Sequence, residues 1–131
     1  MVDIFLPENA NILFLDDDEN RTKIFKSNIP WCDTASTVEQ CIKFLKKKEY
    51  FGLFLDHDLS GETNVSTNRE DTGSEVVRWI VENKPEICQI IVHSLNDAGA
   101  RHMCKELDDA GYVVIRLPFT NFHKFLDFTK K

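Results

Sequence analysis

The stretch Asn11-Ile-Leu-Phe-Leu-Asp-Asp-Asp18 decides the fold prediction, because four apolar residues run directly into three aspartates. A short, continuous apolar run of this kind predicts a strand that is covered on both faces, as in a parallel sheet. A second run, Phe51-Gly-Leu-Phe-Leu-Asp56, has the same character and also ends at an aspartate. The sequence therefore predicts two buried strands, residues 11–16 and 51–56, with acidic residues at their carboxyl ends.

Three further strands are predicted from the same pattern, at residues 31–35, 89–93 and 112–117, the first of them at a sheet edge. Between the strands, Ser36-Thr-Val-Glu39 and Thr72-Gly-Ser-Glu75 match the capping box that begins helices. Strands that alternate with helices are typical of a parallel sheet wrapped by helices. We therefore predict an α/β fold with a doubly wound five-stranded parallel sheet of order 2-1-3-4-5.

The length of 131 residues and an apolar content of 42% suit one core, so a single domain over residues 1–131 is expected. Gly111 is expected to close the fourth helix. A final helix from about Asn121 is expected to cover the sheet with an apolar stripe of Phe122, Phe125, Leu126 and Phe128. Residues 60–71 are polar and lack periodicity, which predicts an extended loop, either functional or a tolerated insertion.

A formal net charge of −6 argues against a protein whose whole surface binds nucleic acid. The basic run Lys46-Lys-Lys48 is interpreted as a solvated helix end. The sequence contains no apolar run near the roughly 20 residues of a membrane helix and no export signal, so a cytoplasmic protein is expected. The four widely spaced cysteines, Cys32, Cys41, Cys88 and Cys104, are expected to be reduced and buried.

The acidic residues fall where a ligand site of this fold is expected. Asp16, Asp17 and Asp18 follow the first strand, and Asp56 and Asp58 follow the third. Both groups are expected to meet at the carboxyl ends of the strands, where the strand order reverses. Neighbouring carboxylates repel one another unless a cation neutralises them or some stay protonated, and Mg²⁺ suits such ligands best. The alternative is that these aspartates only cap helices and turns, above all Asp18.

Leu15-Asp16-Asp17, Asp56, Ser94 and Pro118-Phe119 together resemble the receiver domains of two-component signalling, over almost the whole chain. The resemblance implies a flavodoxin-like fold in which an acidic pair binds Mg²⁺. It also implies that the aspartate after the third strand accepts a phosphoryl group and that the hydroxyl after the fourth strand responds to it.

The sequence departs from ordinary receivers at the site rather than in the scaffold. Leu117 stands where a receiver has a lysine before the proline, although Arg116 is adjacent. The loop after Asp56 is longer than usual. His57 and Asp58 are ionisable residues that receivers do not need, and His93 precedes the hydroxyl. The departures weaken the interpretation as a phosphorylation switch and add two histidines to a metal site.

Leu55-Asp56-His57-Asp58-Leu59 and His93-Ser94-Leu95-Asn96, followed by Gly99 and Met103, resemble a divergent branch, the cyclic-phosphate processing receiver family. This resemblance implies a metal-dependent role at cyclic phosphate ends, such as the 2′,3′-cyclic phosphates left by RNA cleavage, and hence RNA repair. A phosphate-bearing nucleotide or RNA end is the expected partner. A protein partner and a monomer or weak homodimer are also compatible with the sequence.

The residues suit the opening of a cyclic phosphodiester by a phosphoesterase. Asp16, Asp17 and Asp56 would hold Mg²⁺ or Mn²⁺, and Asp58 would complete the ligand set or orient a water. His57 and His93 are candidates for base and acid, and Asp56 and Ser94 complete the catalytic set. Asn96 and Ser94 would bind the phosphate, with Arg101 or Arg116 adding positive charge. If the histidines are ligands, Mn²⁺ or Zn²⁺ would also suit the site.

Other functions stay open at this point. The chain could be a receiver that is phosphorylated on Asp56 by a partner kinase, or a catalytically inactive pseudo-receiver that acts through its surface. A weaker alternative is a phosphatase of the haloacid dehalogenase type, because Asp56-His-Asp58 after an apolar strand imitates the Asp-x-Asp motif of those enzymes. The structural-residue interpretation also stays open for each histidine, and it is preferred for His102 and His123.

Overall fold

The computed structural model describes residues 4–59, 72–119 and 126–128. Along these ranges the elements are β1 (Ile4–Leu6), β2 (Ile12–Leu15), α1 (Glu19–Asn28), β3 (Asp33–Ala35), α2 (Val38–Lys47), β4 (Tyr50–Leu55), α3 (Gly73–Asn83), β5 (Ile87–Val92), α4 (Asp97–Asp109), β6 (Val114–Arg116) and β7 (Leu126–Phe128). None of the helices within these ranges is long and apolar enough to span a bilayer.

The main sheet has five parallel strands in the order β3-β2-β4-β5-β6. The five strands predicted from the sequence are β2 to β6, so this order is the predicted 2-1-3-4-5, and the fold prediction is confirmed. The strand bounds differ from the predicted ones by no more than two residues. The strand order reverses between β2 and β4, where the aspartates were expected to meet.

Helices cover both faces of the sheet, which explains why its central strands are continuous apolar runs. On the α1 face, strand residues pack with Phe25 of α1 and with Ile29, the C-cap of that helix. On the other face, the α2–α4 face, a larger cluster joins strand residues to the apolar stripes of the three helices, including Leu45, Ile80 and Met103. Side chains of a strand alternate between these two faces. The residues just beyond each strand end continue this alternation, so each of them also lies on one face or the other.

The helix boundaries follow the predicted capping signals closely. The N-cap of α2 is Thr37, one residue after the predicted Ser36, and the Gln40 side chain accepts the Ser36 backbone N–H at 2.8 Å. Thr72 is the N-cap of α3, as predicted. Gly111 follows α4 with a φ of 97°, a left-handed conformation that glycine adopts without steric cost.

The C-terminal helix prediction is wrong for Leu126 and Phe128, which belong to β7. This strand pairs in parallel with β1, with Ile4 opposite Leu126 and Leu6 opposite Phe128. Apolar spacing over a few residues suits either a helix or a strand, and here β1 supplies a pairing partner that the sequence analysis did not identify. The other residues of the predicted helix, Asn121, Phe122 and Phe125, and the predicted loop at 60–71 lie outside the described residues.

All four cysteines are free thiols, as expected. Cys32 and Cys41 are buried, as predicted. Cys104 is half-buried and Cys88 is exposed, so the predicted burial is wrong for Cys88. Cys88 lies on β5 near the amino end of that strand, away from the fully buried part of the sheet.

Candidate functional site

The site follows from the register of the three central strands. Phe14 of β2 pairs with Phe54 of β4, which pairs with Ile91 of β5, and all three pack on the α1 face. Because side chains alternate along a strand, the residues two positions later lie on the same face beyond the strand ends. These residues are Asp16, Asp56 and His93, each 4% exposed or less. One ligand atom from each lies within 4.8 Å of the others.

The carboxylate of Asp16 is the centre of this acidic pocket, which we define as Asp16, Arg21, Asp56 and His93. Its Oδ1 accepts the Asp18 backbone N–H at 2.9 Å and Arg21 Nη2 at 3.0 Å. Its Oδ2 accepts Arg21 Nε at 2.8 Å and His93 Nε2 at 3.0 Å. Burial favours the neutral acid, but the hydrogen bonds from His93 and Arg21 outweigh burial and lower the pKa of Asp16 to about 2. Asp16 is therefore an anion at neutral pH.

Arg21 is a residue of the site that the sequence analysis missed. It lies in the first turn of α1, where its backbone N–H donates a hydrogen bond at 2.9 Å to Oδ1 of the N-cap residue Asp18. Its guanidinium donates two hydrogen bonds to Asp16, in a forked arrangement. In addition, its Nη2 lies 3.7 Å from Asp56 Oδ2 and its Nη1 lies 3.6 Å from Asp18 Oδ2. The side chain is 32% exposed and forms the outer wall of the pocket. The available signal was Asp18-x-x-Arg21, which places a cation one helical turn from the acidic residues.

Asp56 differs sharply from Asp16 in its protonation. Its Oδ1 accepts the backbone N–H of His57 at 2.9 Å, and its other oxygen faces Arg21. Burial, followed by the negative charge of Asp16, raises the pKa of Asp56 to about 8, with Arg21 opposing the shift. Two carboxyl groups with such different affinities for a proton can divide the roles of anion and proton carrier between them.

The imidazole of His93 is fixed by stacking as well as by hydrogen bonding. It stacks on Phe14 with ring centroids 4.8 Å apart, and Phe14 stacks on Phe25 at 4.1 Å. Burial lowers the pKa of His93 despite the opposing effect of Asp16, so the neutral ring donates its Nε2–H to that carboxylate. The ring is thus held in one tautomer and one orientation beside Asp56.

His57 lies on the opposite face of the sheet from His93. It follows Leu55 by two residues, and Leu55 packs on the α2–α4 face. Its Nδ1 contacts Asp58 Oδ1 at 2.9 Å, and Asn96 Nδ2 donates to the same oxygen at 2.9 Å. The ring is fully buried against Gly99, where a Cβ would lie 2.6 Å from His57 Cγ. We call His57, Asp58, Asn96 and Gly99 the His57 network.

The structure therefore does not bring His57, Asp58 or Asn96 into the acidic pocket with Asp16, Asp56 and His93. Asn96 is the N-cap of α4, since its Oδ1 accepts the Gly99 N–H at 3.0 Å. Ser94 belongs beside this network, because its Oγ accepts the Asn96 N–H at 3.0 Å. Together these contacts attach the start of α4 to residues 57–58, directly after β4.

The predicted phosphate-binding arginines lie apart from the pocket and share one partner. Asp97, in the first turn of α4, forms ion pairs with both Arg116 and Arg101. Arg116 pairs in register with Val92, so it lies on the α2–α4 face. The next residue, Leu117, points to the α1 face and packs there as an apolar residue. The position where receivers carry a lysine is thus occupied by Leu117, an apolar residue of the core.

Asp17 and Asp18 lie at the rim of the pocket. Asp18 is the N-cap of α1, which agrees with the capping interpretation of that residue. Asp17 borders an open cleft of about 430 Å³ between the starts of α1 and α2. The cleft reaches Asp16 at one end and presents polar groups from Thr22, Lys23 and Thr34.

A hard divalent cation fits the chemistry of this donor set. Asp16 and Asp56 offer carboxylate oxygens and His93 offers a ring nitrogen, all within 4.8 Å of one another. Oxygen ligands of this kind suit Mg²⁺ or Mn²⁺. Asp16 is already bonded by Arg21, so the ligand set is complete only when the guanidinium releases that carboxylate.

Comparisons with known proteins agree with this architecture. A family model described as the cyclic-phosphate processing receiver domain matches residues 11–109, well over half of the chain. The response regulator protein TrrA from Thermotoga maritima, in complex with Mg²⁺ and BeF, is 22% identical with a TM-score of 0.62, over 86% of this chain and 90% of that one. None of the curated proteins compared with the chain matches it.

Two further solved structures are similar. A signal receiver domain from Vibrio parahaemolyticus has a TM-score of 0.63 and 15% identity, over 87% of this chain and 84% of that one. A response regulator from Burkholderia pseudomallei, with a phosphorylated aspartic acid, calcium ion and citrate, has a TM-score of 0.58 and 12% identity, over 91% of this chain and 67% of that one. At these identities the likeness establishes the receiver fold.

Proposed function

Because the chain belongs to the cyclic-phosphate processing receiver family, we propose that it is a metal-dependent phosphoesterase acting on 2′,3′-cyclic phosphates of RNA ends or nucleotides. The observation that carries the proposal is the 3.0 Å contact between His93 Nε2 and Asp16 Oδ2, made beside Asp56 in a buried pocket. A histidine in that position gives an acidic receiver-like site a second group that can carry a proton.

The opening of a cyclic phosphodiester has simple chemical requirements. A water oxygen bonds to phosphorus and gives up a proton to a base, the bond from phosphorus to one ribose oxygen breaks, and that ribose oxygen takes a proton from an acid. The reaction therefore needs a base, an acid and neutralisation of the phosphate charge. The proposed site contains a candidate for each of these parts.

The proposed roles follow from position and protonation. Asp16 and Asp56, with Asp17 at the rim, would hold Mg²⁺ or Mn²⁺, which when bound neutralises charge on phosphate oxygens and acidifies a water. His93, whose ring is neutral in the folded protein, is the proposed proton carrier, which takes a proton from the attacking water and delivers one to the leaving ribose oxygen. Arg21 is the proposed contact to a non-bridging phosphate oxygen, since its guanidinium is at the pocket mouth.

The remaining residues receive positioning roles in this proposal. His57 and Asp58 would fix residues 56–59 directly after β4, and Ser94 and Asn96 would fix the start of α4. Arg101 and Arg116 are not used, because Asp97 engages both. The cleft beside Asp17 is the proposed place for the nucleoside, because it is continuous with Asp16 and lined by hydroxyl groups and Lys23.

A phosphoryl-accepting receiver is the second candidate, favoured by the position of Asp56 directly after the central strand β4. Against it stands Leu117, which is 6% exposed and packs in the core where a receiver lysine would pair with the phosphoryl group. Arg116 does not replace that lysine, since its side chain lies on the other face with Asp97.

One experiment separates these functions. The protein is incubated with nucleoside 2′,3′-cyclic monophosphates and a cyclic-ended RNA oligonucleotide, in Mg²⁺, Mn²⁺ or EDTA. Metal-dependent ring opening that Asp56→Ala and His93→Ala abolish supports the proposal, with Asp109→Asn, an exposed residue of α4, as a matched control. No ring opening combined with labelling of Asp56 by acetyl phosphate indicates the receiver. If the protein shows neither ring opening nor labelling, it is a pseudo-receiver and the proposal is refuted.

A further inference from the structure

The lone pairs of Asp16 are all in use in this structure. A carboxylate has about four acceptor positions, and Asp16 fills them with N–H groups of Asp18, Arg21 and His93 among the described residues. Arg21 alone supplies two of these donors, in the forked geometry that guanidinium and carboxylate groups favour. A metal ion cannot bond to Asp16 unless one of these donors leaves.

We propose that Arg21 is an exchangeable cation that competes with the divalent ion for the acidic pocket and, once displaced, becomes a ligand for the substrate phosphate. The inference rests on the proposed function for its second half, whereas the competition itself concerns the pocket alone. It assigns Arg21 two alternating partners, the carboxylate of Asp16 and a phosphate.

The charges around Arg21 support its role as the resident counter-ion. Its two Nη atoms lie 3.6 Å from Asp18 Oδ2 and 3.7 Å from Asp56 Oδ2, in addition to the fork on Asp16. One guanidinium is thus shared by three carboxylates. Both cations would serve the same need, the neutralisation of crowded carboxylates, so binding of one weakens binding of the other.

The placement of Arg21 makes displacement possible without disturbing α1. The bond that caps the helix runs from the backbone N–H of Arg21 to Asp18 Oδ1, so it does not use the guanidinium. The side chain is 32% exposed, while that of Asp16 is fully buried. The guanidinium can therefore turn toward solvent while its backbone stays in place, whereas His93, 2% exposed and stacked on Phe14, cannot leave in this way.

A displaced Arg21 would stay at the pocket mouth, because its Cα is fixed in the first turn of α1. A guanidinium there can donate two parallel hydrogen bonds to a phosphate held by the metal. Phosphate binding by Arg21 would therefore depend on metal binding, since Arg21 becomes available to phosphate only after the ion has taken its place.

The test measures Mn²⁺ affinity by titration calorimetry on wild type and Arg21→Gln, with no substrate present. We expect Arg21→Gln to bind Mn²⁺ at least about tenfold more tightly, because a competing charge a few ångströms away has been removed. Arg78→Gln is the matched control. It removes the same charge from an exposed pair with Glu75 on α3 and is expected to leave the affinity unchanged. Arg21→Lys, which keeps the charge but loses the fork, is expected to fall between wild type and Arg21→Gln.

Thermal unfolding provides a second readout that does not need activity. In EDTA, Arg21→Gln should melt below wild type because its carboxylates have lost their counter-ion, and saturating Mn²⁺ should raise its melting temperature by more than that of wild type. With Mn²⁺ bound, inorganic phosphate should bind Arg21→Gln more weakly than wild type. If Arg21→Gln is too unstable to titrate, Arg21→Lys alone decides the outcome, by binding Mn²⁺ more tightly than wild type or not.

Mn²⁺ affinity that is equal or weaker in Arg21→Gln and Arg21→Lys overturns the inference. That result is separable from failure of the proposed function. Ring opening by wild type together with unchanged Mn²⁺ affinity in the variants refutes the exchange and leaves the activity standing. Tighter Mn²⁺ binding in the variants, in a protein that opens no cyclic phosphate, supports the exchange and refutes the activity.

Discussion

The two buried histidines of this protein, His93 and His57, lie on opposite faces of one sheet and have different partners. His93 contacts Asp16, which is 77 positions away in the chain, whereas His57 contacts its direct neighbour Asp58. His93 belongs to the acidic pocket, whose outer wall is the partly exposed side chain of Arg21, whereas His57 is enclosed by the start of α4. Burial alone therefore does not decide which side chains a histidine contacts. The face of the sheet on which it lies decides its partners.

The largest effect that separates the two histidines is expected in the rate of ring opening. His93→Gln keeps an amide donor for Asp16 but cannot exchange a proton at neutral pH. Loss of a general acid–base group costs about 10²–10⁴-fold in rate, so we expect a kcat loss in that range, measured at saturating metal and substrate. The melting temperature should change little.

The matched variant His57→Asn is expected to behave in the opposite way. Asparagine retains an atom near the position of Nδ1 but leaves a gap beside Gly99, and a large-to-small change in a core costs about 2–3 kcal/mol of unfolding free energy. The rate per folded molecule should fall far less than in His93→Gln. Equal rate losses in the two variants would contradict the division of roles.

We expect Asp56 of the acidic pocket to make the free energy of unfolding depend on pH. Burial and the charge of Asp16 raise the pKa of Asp56 from 3.8 to about 8. A carboxyl group with a raised pKa in the folded state takes up a proton on folding, so its stabilising effect is present below about pH 4 and is lost as the pH rises toward 8. Asp56→Asn should remove this loss.

Urea denaturation in EDTA at pH 5 and pH 8 measures the effect. We expect Asp56→Asn to gain about 3–4 kcal/mol more over wild type at pH 8 than at pH 5. The exposed Asp109 offers a control, since Asp109→Asn should show no such difference. A gain for Asp56→Asn that is the same at both pH values would mean that Asp56 is not held protonated in the folded protein.

The His57 network should respond to a change at Gly99. A Cβ there would lie within 3 Å of three atoms of the His57 ring. Overpacking of this kind costs about 1–3 kcal/mol, so Gly99→Ala should destabilise the protein although alanine favours helices more than glycine. In a His57→Ala background the same change should become neutral or stabilising. Denaturant midpoints of the four proteins would show whether this reversal of sign occurs.

The smallest expected effect concerns Asp18 at the rim. Its side chain caps α1, so Asp18→Ala should lower the unfolding free energy by about 1 kcal/mol, whereas Asp18→Ser retains a capping oxygen and should lose less. Calorimetric Mn²⁺ affinity should be similar in Asp18→Ser and wild type, because Asp18 is a cap rather than a ligand in this account. A large drop in affinity for the serine variant would place Asp18 among the ligands.

Much of the fold was predictable because its signals are local and agree with one another. The apolar runs of β2 and β4, ending at Asp16 and Asp56, predict buried parallel strands whose carboxyl ends meet. β1 and β7 were missed because each has three residues and depends on a partner far away in the chain. The Leu126 and Phe128 pattern was therefore assigned to a helix.

The pairing of Asp16, Asp56 and His93 was predictable in part, and the separation of His57 could have been predicted too. Asp56 and His57 are adjacent, so an extended chain directs them to opposite faces. Arg21 was harder to predict. A basic residue on the polar side of a helix usually predicts solvent exposure, and only the packing of α1 against the sheet determines that its guanidinium reaches Asp16.

A crystal structure with Mn²⁺, with an anomalous difference map recorded at the manganese edge, tests whether the ion replaces Arg21 at Asp16. If the exchange occurs, the map has one strong peak within bonding distance of Asp16 and Asp56, beside His93, and the Arg21 guanidinium is no longer paired with Asp16. A map without a peak in the pocket, or a peak there with Arg21 still forked onto Asp16, would contradict it.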